Sequence, residues 1–513
     1  NITLLSTPTV DSIQEFKVLS SNYTADVGRS GGGTVIITTR GGGNDFHGTL
    51  YEFTRNDYFN ANSFFNNRLG RRPDGSPVAD VPKLRYHNFG GVISGPVMIP
   101  NFGDGGPSWL YNGRNKTFFF FSEEVRRISR ATTNANATVP TLAQRNGDFS
   151  ASLGNLICQN ANGGFVTSTS NTTCTTAGTN PVFVPDTAGG QTLLRQNQIF
   201  NPNNLAYFGN IIPLSDMDPR SLGLMQAYPL PNSGVNGFTS SQTNINNTRQ
   251  EVFRIDHNFN NNHKIFGRYT IDTSETTEAG GLFTGIVLPN IATTSTKVPG
   301  KVLAIAYTGL FSSNVVNEFQ FNYSGNEIAS RLIGRGRRSD YANAENIAEV
   351  FPENNSNVIP SITGTGFSTI GALQGFSIEY ASTGFRDTLT WTKGNHIFKF
   401  GGEMTWEIKN ENAGSSSQGS FGFSSVQTRG SVGNTPITGT GIVTGHAFAS
   451  FLLGRANTYS EAETDFRVNQ RFGRRECFAQ DTWKIRPNFT LDFGVRYQYF
   501  VPPYDKNNRI GSF

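Results

Sequence analysis

The stretch FTLDFGVRYQYF, residues Phe489–Phe500, alternates between large apolar side chains and polar or small ones. One set holds Phe489, Leu491, Phe493, Val495, Tyr497 and Tyr499, and the other holds Thr490, Asp492, Gly494, Arg496 and Gln498. Successive side chains of a β-strand point to opposite faces of its sheet. The pattern therefore predicts a strand with one apolar, largely aromatic face and one polar face.

The same alternation recurs along the chain. Two further examples are NEFQFNYSGN (residues 317–326) and IFKFGGEMTWEIK (residues 397–409). We count about a dozen candidate strands between Phe46 and Phe500. Several span about ten residues, whereas strands average about 5–6 residues in soluble proteins and need about 9–11 residues to cross a bilayer at a tilt.

Two architectures fit this alternation: an antiparallel sandwich with solvent on its polar side, and a barrel with lipid outside and a wet lumen. Strand length and uneven connections favour the barrel. We therefore predict an all-β fold, a partial transmembrane antiparallel β-barrel preceded by a small α/β unit. The residues expected to face lipid include Phe319, Phe321, Phe398, Phe400, Phe493, Val495 and Tyr497.

The connections between these strands differ greatly in length. Residues 126–250 separate two candidate strands and are rich in Asn, Thr, Gly and Pro, whereas Asn258–Lys264 joins two strands as a hairpin turn does. Long loops on one side and short turns on the other are typical of outer-membrane barrels. We expect residues 126–250 to project outside the cell and to be the least ordered region, because they lack periodic apolar residues.

Composition excludes several classes of protein. The chain of 513 residues is only 36% hydrophobic and 16% charged, but 12% aromatic, which argues against disorder. Its 42 basic and 38 acidic residues are nearly balanced, so no nucleic-acid partner is expected. No apolar run is long enough for a transmembrane helix. We find no nucleophile motif and no zinc-type cluster, and predict neither an enzyme nor a metal or cofactor site.

The cysteines leave one alternative open. Cys158 and Cys174 lie in the same Gly-, Asn- and Thr-rich stretch. In an oxidising compartment they would form a disulfide within a loop. Two free surface thiols are the other interpretation.

A glycine-rich stretch, GRSGGGTVIITTRGGG (residues 28–43), precedes the long strands. A phosphate-binding loop follows a strand and opens a helix, but here the first triplet precedes a strand and no helix follows the second. We therefore interpret Gly28, Gly31, Gly32 and Gly33 as a hinge, since glycine accepts turns that other residues resist.

The stretch from Ser12 to Asp57, SIQEFKVLSSNYTADVGRSGGGTVIITTRGGGNDFHGTLYEFTRND, resembles the end of the plug and the first barrel strand of TonB-dependent outer-membrane receptors, especially the Oar-like group. NFGGVISGPV, AYPLPN and FAQDTWKIRPNFTLDFGVRYQYFVPPYD extend the resemblance along the chain. It implies that residues 1–45 end a plug domain and that residues 46–513 begin a barrel. The chain would then be an internal fragment. Complete members also carry a signal peptide, often a carboxypeptidase-regulatory-like domain, and a TonB box.

The resemblance implies a receptor in the outer membrane of a Gram-negative bacterium. Such a receptor binds an extracellular substrate (a siderophore, glycan or peptide) and imports it with energy from the TonB complex, while lipid surrounds its barrel. By matching position, Arg29 would be a plug arginine that pairs with barrel acids such as Glu403 or Glu407. Arg29 could equally satisfy carbonyl groups in its own turn. The rival function is a surface adhesin or scaffold without active transport.

Overall fold

The computed structural model describes residues 9–19, 24–28, 33–68, 70–71, 74–77, 80–102, 109–131, 135–354, 356–412, 417–439, 441–463 and 467–509. The described part of residues 9–45 is called the N-terminal segment. A 3₁₀ turn, Val10–Ser12, leads into strand β1 (Ile13–Leu19), which pairs antiparallel with β2 (Thr34–Thr39). These two strands form a sheet of their own.

Eleven longer strands form one antiparallel sheet in which spatial order follows chain order. They are β3 (His47–Asn56), β4 (Leu84–Pro96), β5 (Thr117–Ala131), β6 (Thr243–Asn258), β7 (His263–Glu278), β8 (Thr294–Ser312), β9 (Val315–Leu332), β10 (Phe376–Lys393), β11 (His396–Glu411), β12 (Val468–Arg486) and β13 (Phe489–Asp505). The sheet is open, with β3 and β13 at its two edges. This up-and-down sheet confirms the predicted fold class, and no second sheet is stacked on its aromatic face among the described residues.

The two faces of this sheet differ as the alternation predicts. We call the face that contacts the N-terminal segment the inner face, and the opposite one the outer face. The register aligns Phe400 with Ala479 and Ala479 with Val495, so these residues share the outer face. Phe319, Phe321, Phe398, Phe493 and Tyr497 also lie on the outer face. Phe493, Val495 and Tyr497 are exposed, as expected for side chains that face lipid.

The two ends of the sheet also differ. At the short-turn end, β6–β7, β8–β9, β10–β11 and β12–β13 are joined by residues 259–262, 313–314, 394–395 and 487–488, and only β4–β5 has a longer connection there, residues 97–116. At the opposite end the connections are residues 57–83, 132–242, 279–293, 333–375 and 412–467. This is the asymmetry that outer-membrane barrels show. No helix among the described residues has the length and apolar character needed to cross a membrane.

Four of the long connections fold together into a compact cap. Its hydrophobic core brings together side chains that are distant in sequence, including Phe149, Leu288, Ile359 and Phe451, all almost fully buried. The expectation that residues 126–250 are the least ordered region does not fit this packing, because that range contributes buried apolar side chains to the core. The physical reason is that their apolar residues pack against the other connections rather than along one periodic face. The first and last residues of that range also belong to β5 and β6.

In the described part of the cap, all helices and strands are short. Its helices are α2 (Leu142–Arg145), α3 (Pro219–Met225) and α4 (Ala447–Leu452), while α1 (Phe64–Arg68) lies in the connection after β3. Short strands in the connections are Met98–Pro100, Trp109–Asn112, Ala135–Thr138, Ile157–Asn160, Phe165–Thr167, Thr179–Pro181, Phe183–Pro185, Gln191–Leu193, Gly237–Ser240, Ser361–Gly364, Phe367–Ile370, Ser420–Phe423, Ser431–Val432, Thr435–Pro436 and Thr458–Ser460. The structure joins Cys158 and Cys174 by a disulfide beside a second small core.

Candidate functional site

Hydrogen bonds and ion pairs join the N-terminal segment to the inner face. The first contact lies at the end of β2. Arg254 donates from Nη1 to the carbonyl oxygen of Thr39 at 2.7 Å and to its Oγ1 at 3.1 Å. Arg268 donates to the same hydroxyl at 3.2 Å. Asp256, on the same strand as Arg254, holds that guanidinium at 2.7 Å. Arg254 of β6 and Arg268 of β7 therefore both donate hydrogen bonds to Thr39 of the N-terminal segment.

The second contact involves the loop 24–28 and strands β10 to β13. Asp26 Oδ2 lies 3.3 Å from Lys399 Nζ and 3.8 Å from Arg386 Nη2, which also donates to the Asp26 carbonyl at 3.0 Å. Gln480 accepts from the backbone N–H of Ala25 at 2.9 Å, and Arg496 donates to the Ala25 carbonyl at 3.1 Å. The segment thus contributes an acid and backbone groups, and the sheet contributes the cations.

The carboxyl group of Asp26 is held ionised by this arrangement. Partial burial favours its neutral form, but the Thr24 hydroxyl and the charges of Lys399 and Arg386 outweigh it and lower the pKa of Asp26. An ionised carboxylate against two cations makes charge-assisted bonds, which are stronger than neutral ones.

A cluster of charges on the inner face adjoins this loop. Arg474 lies between Glu403, Glu407 and Glu476, at 3.5, 3.8 and 3.3 Å, and Arg496 also pairs with Glu476. The side chains of Glu407 and Glu476 are 5% and 1% exposed. Buried charges are costly unless they are paired, so the cluster must stay assembled. Arg496 takes part both in this cluster and in the contact with the loop 24–28, because it donates hydrogen bonds to Glu476 and to the Ala25 carbonyl.

The predicted site residues are only partly brought together. Arg29, Gly31 and Gly32 lie outside the described residues. Glu403 and Glu407 are on the inner face, as expected, and within the described part of the chain their ion pairs are with the sheet's own arginines.

The two described hinge glycines have distinct roles. Gly33 has φ +142°, a conformation that other residues rarely adopt. A Cβ on Gly28 would lie 2.5 Å from Arg496 Nε and 2.6 Å from Gln498 Nε2. The backbone at Gly28 thus lies against the side chains of Arg496 and Gln498, which would have to shift to admit a larger residue.

The roles of Asp26, Thr39 and the cations that hold them were not predicted from the sequence. The sequence did indicate that the cations lie on the inner face, because Arg386, Lys399 and Arg496 occupy polar positions in strands whose side chains alternate between apolar and polar. No pattern indicated which of these positions meet the N-terminal segment, since that depends on how the sheet wraps around it. Among the described residues, no group of three or more His, Cys, Asp or Glu is placed to hold a metal ion.

The profile of a family described as Outer membrane beta barrel domain matches residues 38–513. No curated protein matches the chain. The structure is similar to the outer membrane transporter YddB from Escherichia coli, with 9% identity, a TM-score of 0.46, and 96% of this chain and 44% of that chain covered. It is also similar to the siderophore receptor PirA from Acinetobacter baumannii, with 9% identity, a TM-score of 0.41, and coverage of 95% and 44%.

The chain spans less than half the length of these two structures. The family profile, in contrast, covers all eleven strands of the large sheet. Its description agrees with the aromatic outer face, the polar inner face and the unequal ends of the sheet. The chain therefore belongs to the outer membrane beta barrel domain family and is an outer-membrane protein.

Proposed function

We propose that the chain is part of a TonB-dependent receptor of the Oar-like group, which imports an extracellular substrate through a plugged barrel. In this proposal the N-terminal segment is the end of the plug, and the eleven strands are the first part of the barrel wall. The observation that carries it is the set of polar contacts between the segment and the inner face. A plug must be held at rest and released on demand, and a few hydrogen bonds and ion pairs allow both.

The strength of these contacts supports release. Hydrogen bonds to charged groups contribute about 1.5–3 kcal/mol each, and partly exposed ion pairs contribute less. A pull on the chain breaks such bonds one after another without exposing a large apolar interface. The apolar residues of the segment instead point elsewhere: Phe16, Val18, Val35 and Ile36 are all exposed. We propose that the rest of a plug domain covers them.

The positions of the contacts also support this proposal. Short turns of outer-membrane barrels face the periplasm and long loops face outward. Lys399 lies four residues beyond the turn 394–395, and Arg254 lies five residues before the turn 259–262. The segment is thus bound in the half of the sheet nearer the periplasm, where TonB would reach it, and the cap would face the outside.

A cysteine-labelling experiment tests energised release without knowledge of the substrate. In full-length protein, Cys477→Ser first removes the exposed free thiol of the outer face. Ala25→Cys then places a thiol in the loop 24–28. We expect a membrane-impermeant maleimide to label it faster in energised cells than in cells treated with an uncoupler or lacking TonB.

The control is Ala188→Cys in the same background, because Ala188 is exposed in the cap. It should be labelled equally in all three kinds of cell. If the labelling rate of Ala25→Cys changes neither with the uncoupler nor with the loss of TonB, the result would contradict the proposal and favour the adhesin or scaffold function.

A further inference from the structure

Three long connections meet around a cavity of about 220 Å³ in the cap. The connection 132–242 contributes Asp218, Arg220 and Leu224 to its lining. The connection 333–375 contributes Ile347, Ala348 and Ile362, and the connection 412–467 contributes aromatic rings. At about 30 Å³ per water in the liquid, the cavity holds on the order of seven waters. That is room for one large side chain, but not for a whole peptide.

Apart from Ser221 and the Tyr459 hydroxyl, the floor and walls of the cavity are apolar. Leu224, Ile362 and Phe451 are at most 2% exposed. The rings of Phe421 and Tyr459 lie 4.5 Å apart at 46°, so they do not form a flat platform. The Tyr459 hydroxyl bonds to Glu461, which also accepts from the Val350 N–H at 2.7 Å. The pocket is therefore already formed and needs little reordering to bind a ligand.

The mouth, in contrast, is polar. Asp218 accepts from Arg220 Nε at 3.0 Å and Nη2 at 2.6 Å. Arg220 Nη1 makes no hydrogen bond within the described part of the chain, and the side chain is 45% exposed. A donor at the rim of an apolar pocket suits a ligand whose polar backbone stays outside while one side chain enters.

We infer that this cavity binds one large apolar side chain, aromatic or leucine-like, of an extracellular peptide. A sugar ring would bring hydroxyl groups against Leu224, Ile362 and Phe451, and buried hydroxyls without partners are costly. An apolar side chain loses no hydrogen bond there, and a peptide carbonyl can accept from Arg220 at the mouth. This inference rests on the proposed function only in that the cap faces the outside.

The test uses purified full-length protein in detergent and fluorescein-labelled pentapeptides, Gly-Gly-X-Gly-Gly, with X being Phe, Leu or Ser. Anisotropy should show saturable binding of the Phe and Leu peptides at least about tenfold tighter than of the Ser peptide. Ala348→Phe should weaken that binding at least about tenfold, because Ala348 lines the cavity, is exposed and can be enlarged without disturbing the core.

The matched control is Ala188→Phe, an exposed alanine elsewhere in the cap, which should leave binding unchanged. Equal affinity for all three peptides, no peptide binding, or binding that survives Ala348→Phe would overturn the inference. If labelled maltopentaose binds the wild type and loses that binding in Ala348→Phe, the cavity binds a carbohydrate and the inference is overturned. Binding in detergent needs no TonB, so its failure is distinguishable from failure of energised release.

Discussion

The carboxylate of a single residue, Asp26, contributes to how firmly the sheet holds the N-terminal segment. Asp26→Lys sets a cation against Arg386 and Lys399 and should loosen the segment, whereas Asp26→Asn loses about 1 kcal/mol or less, as partly exposed pairs do. We expect passive entry of a large antibiotic to increase more for Asp26→Lys than for Asp26→Asn. Lys399→Glu added to Asp26→Lys should restore resistance, and a double variant that leaks more than Asp26→Lys alone would contradict the contact.

His446 makes the stability of the cap depend on pH. Its Nδ1 accepts from the Phe448 N–H at the start of α4 (3.2 Å), and burial lowers its pKa from 6.5 to about 4. Between these values the unfolded chain binds the proton more readily, so His446 contributes its full stability above about pH 6.5 and loses it as pH falls towards 4. At about 1.36 kcal/mol per pKa unit, the loss approaches about 3 kcal/mol.

His446→Asn retains a capping side chain without the titration. Melting temperatures of the purified protein from pH 4 to 8 should therefore fall more steeply on acidification for the wild type than for this variant. Parallel profiles would show that His446 does not titrate in this window.

At the level of the strand, neighbouring residues of β9 test which face meets lipid. Phe321 lies on the outer face and Asn322 on the inner face. Phe321→Arg should destabilise the folded protein in a bilayer by up to about 2–4 kcal/mol, depending on depth, while Asn322→Arg should have a small effect. Denaturant unfolding from vesicles measures both, and equal losses would contradict the assignment of the faces.

Elements also differ in how far the sequence predicts them. Strands such as β13 are evident because successive side chains point alternately to the outer and the inner face. Apolar and polar residues therefore alternate in the sequence. The cap was missed because Phe149, Leu288, Ile359 and Phe451 come from four connections and pack only in three dimensions. The contacts of Asp26 and Thr39 were missed for the same reason, since their partners lie hundreds of residues away.

For the molecule as a whole, the unequal ends of the sheet predict which side faces the outside. An epitope tag inserted after Ala188, in the cap, should bind antibody on intact cells. The same tag inserted after Asn261, in the β6–β7 turn, should bind only after the outer membrane is permeabilised. The opposite result would invert the topology and place the N-terminal segment in the outward half of the sheet.

The N-terminal segment rests on the inner face, and we propose that energy supplied through TonB releases it. Cβ atoms of Ala25 and Gln480 lie 2.9 and 3.0 Å from the position of a Cβ built on Gly494, so the two residues are neighbours. The most direct measurement is disulfide formation in full-length Ala25→Cys/Gln480→Cys/Cys477→Ser, followed in cells by mass spectrometry of the linked peptides. The matched variant is Ala25→Cys with native Cys477, which lies on the outer face. We predict rapid cross-linking at position 480 in cells treated with an uncoupler, slower cross-linking in energised cells, and none to Cys477. Cross-linking to Cys477 would contradict the position of the segment on the inner face, and a rate at position 480 that does not depend on energy or TonB would contradict energised release.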